Sequence, residues 1–213
     1  MDAFIFRLEI LGVIAFAVSG ALDGIESRMD LLGVLILGVI TSVGGGIIRD
    51  LVLGINPPKS FVNPVYIYVA FTASLSTFIW TYYKRNIKKD SINFLFNKWL
   101  TTFDAIGLAV FTILGMNVAY SLSYDYRGIV YVFVGVITGV GGGILRDLLS
   151  RKMPYIMERN IYASASIIGA LVHYFLIKYG LFASPVSMII SIIIIFTVRM
   201  VAAKYELNLP KVR

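Results

Sequence analysis

Seven stretches of this chain are apolar over close to the ~20 residues that a helix needs to cross a bilayer. They run roughly over Phe4–Leu22, Leu31–Leu53, Val65–Tyr83, Leu100–Tyr120, Gly128–Leu149, Ile161–Ile177 and Pro185–Ala203. Short polar connections separate them. Tyr66, Tyr68, Trp80, Tyr82, Tyr83, Trp99, Tyr120 and Tyr124 fall near the ends of the stretches, where amphipathic rings settle at headgroup level. The pattern predicts an all-α membrane protein, a single transmembrane domain over residues 1–213. The first stretch reads as a span, not as a cleaved leader. Asp2 and Glu9 stand where a leader carries basic residues.

Composition agrees. The chain is 58% hydrophobic and 15% charged, with a mean hydropathy of +0.84, whereas soluble domains are about 45–50% apolar and about 25% charged. There is no cysteine, which removes disulfides, thiolate metal sites and cysteine nucleophiles together. The net charge of +7 is spread over short loops without a long basic run, which argues against nucleic acid. Lys84, Arg85, Lys88, Lys89 and Lys98 crowd the third connection. Arg151, Lys152 and Arg159 sit in the fifth, and Lys204, Lys211 and Arg213 in the tail. The loops of the other face hold Lys59, Arg127 and Lys178. Lysine and arginine concentrate on the cytoplasmic side, so the N-terminus is expected outside and the C-terminus inside.

The pattern also repeats. Thr41–Leu51 reads TSVGGGIIRDL, and Thr138–Leu148 reads TGVGGGILRDL, 97 positions later. Glu9, Gly12, Phe16 and Gly20 recur as Asp104, Gly107, Phe111 and Gly115 at an offset of 95, and Tyr66 recurs as Tyr162 at 96. The chain is thus a three-span unit (about 4–83), the same unit again (about 100–177) and a seventh helix (about 185–203). Three is odd, so the second unit enters from the opposite face. The halves are then inverted about an axis in the membrane plane, an architecture typical of transport proteins.

Gly44, Gly45 and Gly46 lie near the centre of the second span, and Gly141, Gly142 and Gly143 near the centre of the fifth. Two roles stay open. Small residues let helices approach closely in lipid. Three glycines in succession also favour a kink, whose freed carbonyls can ligate a cation. Thr41, Ser42 and Thr138 add hydroxyls one turn earlier. Arg49-Asp50 and Arg146-Asp147 follow. Neighbours in sequence do not share a helix face, so each arginine is expected to find another partner. A cross-repeat pair, Arg49 with Asp147, is excluded by depth: the two arginines stand ~15–20 Å apart along the normal at ~1.5 Å per residue. Depth instead matches Glu9 with Arg49 and Asp104 with Arg146. The alternative is that all four snorkel to the interface.

Other positions carry less. His173 is the only histidine and has no second ligand cluster, so no metal site is expected. Asp23 reads as a solvated helix end, and Arg199 as snorkelling inward. Pro57, Pro58 and Pro154 read as helix stops. Neither a G-x-x-x-x-G-K-[ST] loop nor an H-E-x-x-H pair occurs, and no Ser-His-Asp set is plausible. The chain does not read as an enzyme.

Two copies of G-G-G-x-x-R-D, in a chain of three spans, three spans and one, resemble the prokaryotic members of the trimeric intracellular cation (TRIC) channel family. The resemblance covers about Phe4 to Ala203. It implies a homotrimer with a pore in each subunit. It implies monovalent cation conduction, chiefly K+ with Na+ beside it, and no cofactor. Carried over, the bends of the second and fifth helices fall at Gly44–Gly46 and Gly141–Gly143, with Arg49, Asp50, Arg146 and Asp147 beside the pathway. The basic lipid-binding motif of the animal channels has no counterpart here, so membrane lipid is expected as surroundings. A microbial chain of this kind is expected in the plasma membrane. Some bacterial relatives with the same doubled motif are associated with small-solute transport, glycine among the solutes, and inverted repeats suit alternating access. A non-conducting scaffold would use the glycines for packing alone.

Overall fold

In lipid a backbone N–H or C=O must find its partner within the chain, so apolar stretches become helices. The computed structural model describes residues 2–84, 90–122, 127–158, 161–181 and 184–207. Its elements are α1 (Asp2–Glu26), α2 (Leu31–Val52), α3 (Lys59–Val62), α4 (Val65–Lys84), α5 (Asp90–Ser121), α6 (Gly128–Leu149), α7 (Tyr155–Glu158), α8 (Ala163–Lys178) and α9 (Ser184–Lys204). Tyr124, Arg85, Lys88, Lys89, Arg159, Lys211 and Arg213 lie outside the described residues.

Six helices are long and apolar enough to span. The seventh, α8, has 16 residues, or ~24 Å at ~1.5 Å per residue. α5 starts at Asp90, ten residues before the expected boundary at Leu100, and reaches 32 residues. Hydropathy marks the lipid-crossing part of a helix and is blind to a polar extension. The prolines do more than stop helices. After each charged motif the chain turns into a four-residue helix, α3 behind Pro58 and α7 behind Pro154. α2 starts where the Asp30 carboxylate caps it by accepting the Gly33 N–H at 2.7 Å, which satisfies one orphan donor of the first turn.

The two halves are built alike. α1, α2 and α4 pack together, as do α5, α6 and α8, and α9 lies against α5 and α8. The halves meet where α1 crosses α5 and α2 crosses α6. Phe16 stacks on Phe111 with ring centroids 5.4 Å apart. The contacts beside that stack are reciprocal. A Cβ on Gly107 would strike the Phe16 ring, and one on Gly12 would press the Phe111 ring. Repeat-equivalent residues facing one another in this way mark the inversion axis. Lipid gives no hydrophobic force between helices, so close packing of small residues supplies the association. Large apolar side chains such as Leu32, Ile129 and Phe133 point outward, as a lipid-facing surface requires.

Candidate functional site

The glycine motifs meet face to face. A Cβ on Gly45 would lie 2.2 Å from the Thr138 carbonyl oxygen, and one on Gly142 would lie 2.2 Å from that of Thr41. Only hydrogen fits at either place, so α2 and α6 touch backbone to backbone. Gly141 faces the Cα of Gly45, Gly143 the Tyr162 hydroxyl, and Gly44 the Leu145 side chain. Gly46 alone of the six has open space, with nothing nearer than the Arg49 guanidinium at 3.8 Å. Both helices remain α-helical through their glycines. The glycines serve close approach. The hydroxyls are spent within their own helices: Thr41 Oγ1 donates to Leu37 O and Thr138 Oγ1 to Val134 O, each at 2.6 Å, and Ser42 Oγ to Gly38 O at 2.9 Å.

The charged residues form two clusters, one at each end of this crossing. In the second half, Arg146 is fully buried. Its Nη1 donates to Asp104 Oδ1 at 2.6 Å and to Ser19 Oγ at 2.7 Å. Its Nε donates to Asp147 Oδ1 at 2.9 Å, and its guanidinium lies 5.1 Å from the Tyr155 ring centre. The Tyr162 hydroxyl donates to Asp104 Oδ1 at 3.3 Å. Arg146 thereby ties α6 to α5 and α1. The expected Asp104–Arg146 pair is present, and these residues do not snorkel.

The first half differs. Arg49 Nε donates to Asp50 Oδ1 at 2.8 Å. Glu9 instead accepts the Tyr66 hydroxyl at 2.5 Å and has Lys59 Nζ at 3.8 Å. The expected Glu9–Arg49 pair is therefore corrected, and so is the expectation that neither arginine bonds its neighbouring aspartate. Both do. The reason lies past the helix ends, where the chain folds back and holds each aspartate by its other oxygen. The Lys59 N–H donates to Asp50 Oδ2 and the Tyr155 N–H to Asp147 Oδ2, each at 2.8 Å. Turned toward the helix terminus, the carboxylate meets a long guanidinium that curls around from the adjacent position.

Beside the first cluster is a cavity of about 30 Å³ lined by Glu9, Ser42, Gly46, Arg49, Lys59 and Tyr66 and closed by Val13 and Phe111. A water needs about 10–15 Å³ and two to four polar partners, so this space suits one or two waters. In the second cluster Arg146, Asp104 and Tyr162 are all buried. A latch covers that end as well. Asp23 is buried, not solvated as expected. It accepts the Ser150 hydroxyl and Lys152 Nζ, the latter at 2.7 Å, and Glu26 takes the same ammonium at 2.7 Å. Burial lowers the Lys152 pKa, but Asp23 and Glu26 outweigh it and hold the ammonium above the ordinary lysine value. The group adds stability below the ordinary lysine pKa and loses it only as pH rises past the higher folded value. The latch thus stays charged at neutral pH. Arg199 is also buried, not snorkelling: its guanidinium lies 5.1 Å from the Tyr162 ring centre. Ser19, Asp23, Lys152, Tyr155 and Arg199 had no motif to mark them. Tyr162 had one signal, its recurrence from Tyr66.

A family model described as "Glycine transporter" matches residues 6–82 and 101–178. The UPF0126 inner membrane protein YadS of Escherichia coli (strain K12) is 38% identical over 209 residues, 97% of this chain and 95% of that protein. A UPF0126 membrane protein of Vibrio cholerae is 32% identical, covering 98% of this chain and 82% of its own length. Solved structures are similar too. The trimeric intracellular cation channel orthologue from Rhodobacter sphaeroides is 30% identical with a TM-score of 0.82, over 95% of this chain and 98% of that one. A prokaryotic TRIC channel crystallised in 0.5 M KCl is 33% identical with a TM-score of 0.85, over 98% and 100%. The chain belongs to this family, a multi-pass, all-helical membrane protein of the UPF0126 group with the fold of the prokaryotic TRIC channels.

Proposed function

We propose that each subunit conducts monovalent cations, potassium first and sodium beside it, along the seam where α2 and α6 cross between α1 and α5. The observation that carries this reading is the pair of charged clusters at the two ends of the glycine crossing, one beside a small cavity that Glu9, Ser42, Arg49 and Tyr66 help to line and the other holding Arg146 fully buried against Asp104. Ionisable groups at membrane depth are costly and mark ion paths by default. The described conformation is closed. Arg146 bonds α5 and α1 at once, and opening means that Arg146 leaves Asp104. Gly44–Gly46 and Gly141–Gly143 bring the two helices to backbone contact, so a small rotation there changes the path. Glu9, Arg49 and Asp50 flank the wet approach, and Ser42 faces it. Asp147 orients Arg146, while Thr41 and Thr138 pack the crossing.

In this reading the protein is a homotrimer in the plasma membrane, its N-terminus outside and its C-terminus in the cytoplasm. The name of the Rhodobacter sphaeroides orthologue supports the trimer. The naming of the Escherichia coli relative as an inner membrane protein supports the location, and the loop lysines and arginines support the orientation.

Single-channel recording of purified protein in planar bilayers with KCl tests the proposal. Discrete ohmic openings are expected. Asp104→Asn should raise the open-to-closed ratio about tenfold or more, as a charge-assisted bond worth about 1.5–3 kcal/mol is weakened. Absence of unitary currents from both proteins would overturn it. The family description favours one other reading, a secondary transporter of glycine. Coupled glycine uptake into vesicles without unitary currents would support that reading instead.

A further inference from the structure

The two clusters hold their aspartates alike, but they are not charged alike by their own halves. In the first, Asp50 accepts the backbone N–H of Lys59, and the side chain of the same residue approaches Glu9. Two acids, Glu9 and Asp50, face two cations, Arg49 and Lys59. In the second, the residue whose N–H holds Asp147 is Tyr155, which brings a ring where the first half brings an ammonium. Asp104 and Asp147 then face Arg146 alone within the repeat. The missing cation comes from outside it. Arg199 of α9, only 2% exposed, lies over the Tyr162 ring, and Tyr162 donates to Asp104. Arg199 Nε and Nη2 have no hydrogen-bond partner among the described residues, and neither has Asp104 Oδ2. An ionised guanidinium kept buried with donors unused must be held by the field around it, since desolvation alone costs several kcal/mol.

We propose that Arg199 is the counter-charge of the sealed cluster: the seventh helix supplies the cation that the second repeat lost at Tyr155. Arg199 thereby acts as a positioning residue for the Asp104–Arg146 bond. With it, the charges of Asp104 and Asp147 are matched by Arg146 and Arg199, and Arg146 keeps its bond to Asp104. Without it, one negative charge is left uncompensated in a water-poor site, and a proton or a cation must come in. The effect on gating rests on the channel reading above, but the charge balance does not.

Asp104 accepts from Arg146 of α6 and from Tyr162 before α8; Ser19 of α1, Tyr155 of α7 and Asp147 of α6 surround Arg146, Arg199 of α9 lies over the Tyr162 ring, and Asp23 with its partner Lys152 stands beyond Arg146. His173 lies toward the other end of α8, beside Ser187, and takes no part.

The test is Arg199→Gln, with thermal stability of the detergent-solubilised protein and open probability both followed against pH. The wild type should show the same stability and open probability at pH 6 and pH 8. R199Q should be more stable at pH 6 than at pH 8, because protonation restores neutrality. Its open probability should acquire the same pH dependence, and R199K should restore the flat profiles. If R199Q fails to assemble, R199Q combined with Y155K, which returns the ammonium to its first-half position, should assemble and run flat. An R199Q profile superimposable on the wild type would overturn the proposal, as would failure of Y155K to rescue an unassembled R199Q. Asp104→Asn separates the two readings. If R199Q gains pH-dependent stability while D104N leaves open probability unchanged, the counter-charge stands and the gate falls.

Discussion

Arg146 and Arg49 hold equivalent places in the repeat, yet their loss should cost very different amounts. Arg146→Met would take from the buried Asp104 and Asp147 the guanidinium they share, leaving Asp104 the Tyr162 hydroxyl and Asp147 the Tyr155 N–H. Breaking a buried ion pair from one side costs about 3–5 kcal/mol. Arg49→Met would strand only Asp50, which keeps its Lys59 N–H and sits beside a cavity that admits water. A loss of about 1–2 kcal/mol is expected there. Thermal unfolding in detergent should therefore show a clearly lower midpoint for R146M than for R49M; equal midpoints would contradict the asymmetry. The sequence made one of these two arginines legible. Depth and the repeat bring Asp104 to Arg146, but the same reasoning fails for Glu9 and Arg49. Both acids accept the equivalent tyrosine hydroxyl, but Glu9, one methylene longer, also has the Lys59 ammonium beside it, where the second half has Tyr155. Ser19, Tyr155 and Arg199 were not legible, because each is brought in by packing between helices distant in the chain and belongs to no local pattern.

At the scale of helices, periodicity and length found the seven spans, and the depth of the charges found one packing contact, Asp104 of α5 with Arg146 of α6. What glycine triplets do inside a helix was not decidable from sequence. Composition states the helical cost of glycine, up to ~1 kcal/mol relative to alanine, but not what lies opposite. Here it is another backbone, at three of the six glycines, Gly45, Gly141 and Gly142. Gly142→Ala should push α2 from α6, since the added Cβ would meet the Thr41 carbonyl at 2.2 Å and neither helix backbone can yield locally. A fall in folded yield in detergent, seen by size-exclusion chromatography, is the expected result. Gly46→Ala is the matched control, with its nearest neighbour 3.8 Å away. It should fold normally, with a few tenths of a kcal/mol or more gained from helix propensity. Equal loss at both positions would mean that the triplets respond to helix geometry in general and that the crossing contact is not their purpose.

For the whole molecule, an odd number of spans has a consequence that the closed chain makes testable. Two inverted units of three spans place the connections α4–α5 and α8–α9 on opposite faces, and the seventh helix returns the C-terminus to the α4–α5 side. On the proposed orientation the side richer in lysine and arginine is the cytoplasmic one, because basic loops resist translocation. Lys178, at the end of α8, and Lys204, at the end of α9, are both exposed, so a thiol placed at either is reachable from its own compartment. The chain has no cysteine of its own, so a single substitution gives a clean signal. In intact cells Lys178→Cys should react with a membrane-impermeant maleimide, and Lys204→Cys should react only after the membrane is opened. The opposite pattern would invert the orientation. It would also put the latch of Asp23, Lys152 and Glu26 on the outer face, where a cytoplasmic signal could not reach the sealed end directly.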